Sequence, residues 1–208
     1  MVRCIIPARK NSRRIKEKNL LKLNGETLID ISVNAAIESA VCDQIIVSTD
    51  IKDGFNARGA VIDRRPKRLA SDFAVTDKII DYLANKYDFL KTDTVILLQP
   101  TSPCRKPSDI VGGLNLFKKK KKPVVSVFRA FKLHDNLCAD CGDGLLKKIK
   151  IEERKVYQIN GALFIFSLNQ FREKHKIPQE RFAPYVMNEK ESTDIDEYLD
   201  YIKAAVTK

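Results

Sequence analysis

TVILLQPTSPCR, residues 94–105, is the stretch whose reading sets the fold. Its first five residues are apolar or β-branched without a break, as in a strand buried on both faces. Pro100 and Pro103 then stiffen the turn and remove backbone donors, and Ser108 opens a helix. A doubly buried strand feeding a helix through a tight turn is half of a parallel crossover unit, and the unit recurs on both sides. Upstream, residues 2–7 (VRCIIP) read as a short buried strand ended by Pro7. Residues 27–40 carry Leu28, Ile31, Ala35 and Ile37 near helical spacing, with Thr27 as N-cap, and residues 44–48 (QIIVS) form a second buried strand. Ser48-Thr49-Asp50 is expected to begin another helix, residues 60–62 a strand, and residues 75–87 a helix striped by Ile79, Ile80 and Leu83. Downstream come strands at 124–128 and 161–167 (GALFIFS), and a closing helix at 196–206. This alternation predicts an α/β chain, a Rossmann-like, mostly parallel sheet with helices on both faces.

The length of 208 residues and the 44% hydrophobic content suit one domain over residues 1–208 with a real core. Residues 129–157 break the alternation with scattered charge around Gly142 and Gly144, and read as an inserted hairpin or small lobe, about 129–158. No apolar run approaches the roughly 18 residues that span a bilayer, and the N-terminal MVRCIIPARKNSRR lacks a signal-peptide pattern. Five scattered cysteines are an odd count, which argues against a disulfide framework and for a reducing cytoplasm. Cys138 and Cys141 form a C-x-x-C pair, either the start of a metal site or a chance pairing. Zinc would need two more ligands, and only His134 lies near.

The net charge of +11 points to anionic partners. Lys118 to Lys122 reads as a solvated helix C-terminus, where cations suit the helix dipole. The cations between Arg9 and Lys22, and those between Arg64 and Arg68, instead follow strand-like runs without helical spacing. With the turn after Leu98, these loops fall beyond the carboxyl ends of parallel strands, where such sheets bind ligands. Cationic side chains and free amides at a turn suit a polyphosphate, although no Walker loop is present. Asp194-Ile195-Asp196 has two readings. In an extended stretch, residues two apart face one side, so two carboxylates can hold one hard cation such as Mg²⁺; two aspartates ahead of a helix also serve as N-caps.

Five segments carry a resemblance: IPARKNSRRIKEKN (6–19), RRPKRLASDFAVT (64–76), LLQPTSPCR (97–105), NGALFIF (160–166) and STDID (192–196). They resemble the signatures of the acylneuraminate cytidylyltransferase (CMP-sialic acid synthetase) family, and the likeness runs over residues 2–130 and 160–202. It implies a nucleotide-diphospho-sugar transferase type of fold and CTP-dependent transfer of CMP to an acidic nine-carbon sugar with release of pyrophosphate. It implies that Arg9 and Lys18 hold the phosphates, helped by Asn11, Ser12 and Asn19, and that Arg65, Thr76 and the backbone around Ala74 hold the nucleoside. Gln99, Gln158 and Asn160 would face the sugar. Asp194 and Asp196 would bind Mg²⁺ or Mn²⁺ and complete a catalytic set with Arg9 and Lys18, and the lobe would make a homodimer.

Two positions depart from the pattern. Asn11 stands where glycine is usual, and asparagine is the next best tenant of a left-handed backbone. Gln158 stands where sialic acid enzymes carry arginine, the natural fork for a carboxylate, and the nearest arginine is Arg154. That leaves the sugar open among sialic, legionaminic, pseudaminic and Kdo-like acids. From another class, +11 and the lysine run would suit a nucleic-acid binder; the absence of tryptophan and of basic–aromatic interleaving argues against it, and neither nucleic acid nor membrane is an expected partner. A nucleotide-sensing relative without activity is the third reading, opposed by the intact acidic pair.

Overall fold

The computed structural model describes residues 1–70, 75–130, 138–140, 146–148 and 156–207. Along the chain these form β1 (Val2–Ala8), β2 (Lys22–Leu23), β3 (Glu26–Thr27), α1 (Leu28–Glu38), β4 (Gln44–Thr49), β5 (Val61–Arg64), α2 (Thr76–Lys86) and β6 (Thr94–Leu97). There follow α3 (Pro107–Lys120), β7 (Val124–Arg129), β8 (Cys138–Asp140), β9 (Leu146–Lys148), β10 (Tyr157–Ser167), α4 (Leu168–Arg172), β11 (Ala183–Val186) and α5 (Tyr198–Thr207). The main sheet has seven strands in the order β11-β7-β10-β6-β1-β4-β5. Its pairs are parallel except those of β10, which runs antiparallel between β6 and β7.

The apolar strand runs are buried on both faces, as their continuity predicts. Cys4, Ile6, Ile96 and Ile165 pack on one side against Ile29 and Val33 of α1 and Ile110 and Leu114 of α3. The alternate residues Ile5, Val95, Phe164 and Phe166 pack on the other against Ile80 and Leu83 of α2 and Phe171 of α4. Each such side chain fully buried contributes about 1.5–3 kcal/mol, so the helices are held chiefly by their apolar faces. Helix α1 starts where the sequence predicts: Thr27 accepts from the Asp30 amide at 3.1 Å and the Asp30 carboxylate accepts from the Thr27 amide at 3.2 Å. Helix α3 has Pro107 in its first turn and ends in lysines, with Lys121 left-handed at φ 55°. At the amino ends of β1 and β6, fully buried Asp93 accepts from the Met1 amino group at 2.8 Å, Arg3 Nε at 3.1 Å and the Leu90 amide at 3.2 Å.

The helix expected from Ser48-Thr49-Asp50 is not there. Ser48 and Thr49 belong to β4, the Thr49 hydroxyl accepts from the Ile51 amide at 3.0 Å, and the chain turns rather than coils. Gly54 (φ 90°) and Gly59 (φ 86°) then carry it through left-handed turns to β5 without a crossover helix. Strand β10 also starts earlier than the pattern indicates, with an irregularity between Ile159 and Phe164. Helix α4 and strand β11 occupy a region that the apolar pattern left unassigned. Of the inserted segment, β8 and β9 form a separate antiparallel pair; His134, Cys141 and Arg154 lie outside the described residues. Cys4 and Cys42 are free thiols, and no described helix is long and apolar enough to cross a membrane.

Candidate active site

The carboxyl ends of β1, β4, β5 and β6 meet the start of β10 at one rim, because β10 alone runs the other way. A cavity of about 1180 Å³ opens there. Into it come the loop after β1, the loop after β5, the turn after β6 and the segment ahead of α5. The Arg9 turn and the Asp194–Asp196 pair therefore open onto one space.

The loop after β1 is pinned by Ile15, which is buried with Leu28 and Ile195. Glu17 takes a left-handed conformation (φ 50°) and leads into a short 3₁₀ turn at Lys18–Leu20, which aims Lys18 inward. The Asn19 amide donates to the Arg9 carbonyl at 2.8 Å and ties the loop's two ends together. Arg9, Ser12, Lys18 and Asn19 all line the cavity. Asn11 is exposed and does not line it, and Glu17 rather than Asn11 takes the left-handed backbone.

Arg65 and Thr76 reach the same cavity from the other basic loop. Arg65 is buried and donates to the carbonyls of Ser48 and of Leu69, while its Nε has no partner. Burial pushes its pKa down to about 10, against the nearby charges of Asp50 and Asp63. Ala74 lies outside the described residues.

The turn after β6 holds the acidic pair. The Thr101 carbonyl accepts from the Ile195 amide at 2.8 Å, and the Ile195 side chain is fully buried. The carboxylates on either side of it line the cavity. Capping of α5 falls instead to Asp200, whose carboxylate accepts from the amides of Asp196 at 3.2 Å and Glu197 at 3.0 Å. Asp196 is gripped by Lys18 Nζ at 2.9 Å and Arg14 Nη1 at 2.8 Å, and Lys18 also donates to the Ile195 carbonyl at 2.6 Å. The hydrogen bond from Lys18 is the main cause that holds the Asp196 pKa below its ordinary value. Asp194 goes the other way: desolvation raises its pKa, the Asp196 charge adds to that, and a hydrogen bond from Thr101 opposes it.

Gln99 lines the cavity at the end of β6, opposite Gly161. Gly161 is left-handed (φ 71°), and a Cβ built on it would lie 2.9 Å from Gln99 Oε1 and 3.6 Å from Asp194 Oδ2. Neither Asn160 nor Gln158 lines the cavity. Asn160 is buried, accepts from Ser126 Oγ at 2.5 Å and donates to Ser192 Oγ at 2.9 Å, which anchors the segment leading to Asp194. Gln158 is exposed on β10 beside Phe128 of β7. Sequence reasoning gave no role to Arg14, Thr101, Arg105 or Gly161. The signals were a cation within a dense run, two members of a turn read for its prolines, and a glycine read as a strand start.

Among the described residues no group of three or more His, Cys, Asp or Glu could hold a metal ion. Asp194 and Asp196 by themselves offer hard oxygen donors, the kind Mg²⁺ takes when phosphate and water oxygens fill its remaining positions. The donor set thus fits a cation that arrives with a polyphosphate. Lys122, Lys174, Lys176 and Arg181 line a further part of the same cavity.

A family model described as cytidylyltransferase matches residues 3–178. The chain is 35% identical to a CMP-N,N'-diacetyllegionaminic acid synthase of Legionella pneumophila, over 95% of this chain and 91% of that protein. It is 32% identical to an N-acylneuraminate cytidylyltransferase of Escherichia coli, over 95% of this chain and 49% of that protein, so it spans about half the length of that relative. Among solved structures, it is similar to a CMP:2-keto-3-deoxy-manno-octonic acid synthetase in complex with CTP. The TM-score is 0.70 at 14% identity, covering 99% of this chain and 98% of the other. A Francisella tularensis 2-C-methyl-D-erythritol 4-phosphate cytidylyltransferase gives a TM-score of 0.72 at 16% identity, covering 100% and 99%.

Proposed function

Because the chain belongs to the cytidylyltransferase family, we propose that it transfers CMP from CTP to a nonulosonic acid, an acidic nine-carbon sugar, and releases pyrophosphate. The observation that carries this reading is the single cavity shared by the Arg9 loop, Gln99 and the two aspartates. An anionic nucleotide and an anionic sugar entering one space also account for the cations around it, Lys122, Lys174, Lys176 and Arg181 included. The legionaminic acid synthase aligns over 91% of its length, which favours a legionaminic-type acid over a sialic one.

In this reading the anomeric hydroxyl of the sugar attacks the α-phosphorus of CTP and the bond to pyrophosphate breaks. Arg9 and Lys18 neutralise the charge that develops on the leaving pyrophosphate. Lys18 and Arg14, which pair with Asp196 at the rim, would also face the phosphates. Asp194 and Asp196 would hold Mg²⁺, which when bound would supply charge neutralisation at the phosphate oxygens. Arg65 and Thr76 hold the nucleoside, and Gln99, backed by the Gly161 corner, orients the sugar. The remaining work is positioning. A homodimer through the 129–158 segment goes with this reading, supported by Tyr157, Ile159 and Val186, which are exposed at its base; sedimentation tests it. The catalytic test is incubation with CTP, Mg²⁺ and a panel of nonulosonic acids while pyrophosphate is followed. Release with one acid and not with neutral sugars is expected. No release with any acid would remove the reading.

A further inference from the structure

Arg105 ends the turn that begins at Gln99, and only 4% of its surface is exposed. Its guanidinium touches three separate parts of the chain. Nη1 donates to the Ala162 carbonyl of β10 at 2.7 Å and to the Gln99 carbonyl at 3.3 Å, and Nη2 donates to Ser32 Oγ of α1 at 3.0 Å. Nε has no partner, and Arg105 forms no ion pair among the described residues. Burial pushes its pKa down to about 10, which still leaves it a cation at neutral pH. With no direct ion pair and only the Asp109 charge in its neighbourhood, a buried guanidinium is costly, and an apolar side chain of similar volume would pack there at less expense. Stability alone therefore does not account for an arginine at this position.

The acceptors show what it holds. Gln99 and Ala162 flank the close approach of Gln99 Oε1 to Gly161, and Thr101, two residues past Gln99, accepts from the Ile195 amide through its carbonyl and so holds the residue between the two aspartates. A planar fork with fixed donors can bridge two carbonyls on different segments and fix their spacing, which a flexible ammonium cannot do. We infer that Arg105 is a positioning residue for nucleotidyl transfer: it clamps the Gln99 turn to the Gly161 corner and thereby sets where Thr101 holds Ile195, the residue between the two aspartates. The inference rests on the cytidylyltransferase reading above and assigns this chain's own lever on the acidic pair.

Two readouts test it, turnover and uptake of Mn²⁺ in the presence of CTP followed by electron paramagnetic resonance. Arg105→Ala should lower kcat by about 10²-fold, the loss expected when reacting groups shift by about 1 Å, and should weaken Mn²⁺ uptake. Ethylguanidinium, well below concentrations that unfold the protein, should restore both, and ethylammonium should not. Arg105→Ala protein that takes up Mn²⁺ with CTP and turns over like the wild type would overturn the inference, as would a loss that ethylguanidinium leaves untouched. If Arg105→Ala does not fold, Arg105→Lys keeps the charge without the fork: it should melt near the wild-type temperature yet lose turnover and Mn²⁺ uptake, and wild-type values of both would overturn the clamp. A wild-type protein that uses no sugar would remove the proposed acceptor, while Mn²⁺ uptake still decides the role of Arg105.

Discussion

Replacing Gly161 by alanine changes one methyl group and tests the geometry of the whole rim. The residue sits at φ 71°, and the added Cβ would lie 2.9 Å from Gln99 Oε1 and 3.6 Å from Asp194 Oδ2. The backbone alone costs about 1–2 kcal/mol for a side chain held left-handed. For a domain of this size each kcal/mol lowers Tm by about 2–4 °C, so a fall of about 2–8 °C is expected by calorimetry. The 3.6 Å contact with Asp194 is ordinary, but nothing tolerates 2.9 Å, so the Gln99 amide must swing away from the corner. The change should therefore appear in the sugar and leave the nucleotide alone: a higher KM for the nonulosonic acid with an unaltered KM for CTP. A variant with wild-type Tm and wild-type KM for the sugar would refute both the strain and the role of the corner.

Three other substitutions probe separate parts of the molecule. Asp196→Asn should abolish metal-dependent pyrophosphate release yet leave Tm nearly unchanged, since the exposed pair with Arg14 is worth about 0–1 kcal/mol and Lys18 keeps its bond to the Ile195 carbonyl; near-normal turnover would refute the metal assignment. Asp93→Asn leaves Arg3 without its buried carboxylate and should cost about 3–5 kcal/mol in urea unfolding. Burial opposes ionisation of Asp93, but the Met1 amino group, Arg3 and the Leu90 amide prevail and hold its pKa below 3.8. Its contribution is thus complete above 3.8 and disappears as pH falls through the lower folded-state value. The Asn variant should accordingly show a shallower acid limb in a stability–pH curve. Thr27→Ala, which removes the acceptor for the Asp30 amide, should cost about 1 kcal/mol by the same urea assay, with kcat unchanged.

The parallel half of the fold was legible because both faces of its strands are covered: TVILL reads as continuous apolar sequence since Val95 and Leu97 face α2 while Ile96 and Leu98 face α1 and α3. The direction of β10 was not, because a strand buried on both faces carries no mark of whether it runs up or down. The helix expected after β4 failed because Ser48-Thr49-Asp50 begins turns as readily as helices, and the residues beyond it decide between them; here Gly54 and Gly59 break any helical stripe. The basic loops and the aspartate pair could be foreseen, since charge at strand ends needs no fold to be suspicious. Thr101 and Arg105 stand in the LLQPTSPCR segment, but their roles could not be read from it, since the Ile195 amide, the Ala162 carbonyl and the Ser32 hydroxyl that they bond are far away in sequence.

Where the inserted segment leaves the sheet, Ala130 N donates to the Val156 carbonyl at 3.0 Å and Arg129 stands in register with Tyr157. The excursion thus departs and returns at adjacent rungs, so its closure is secured by the ladder whatever its length, and lengthening it adds only a slow logarithmic entropy cost. Ile195, Thr101 and Arg105 are fixed by bonds that do not pass through it. A change of chain length between Ala130 and Val156 therefore leaves in place the rungs and bonds that carry the phosphate end of the cleft.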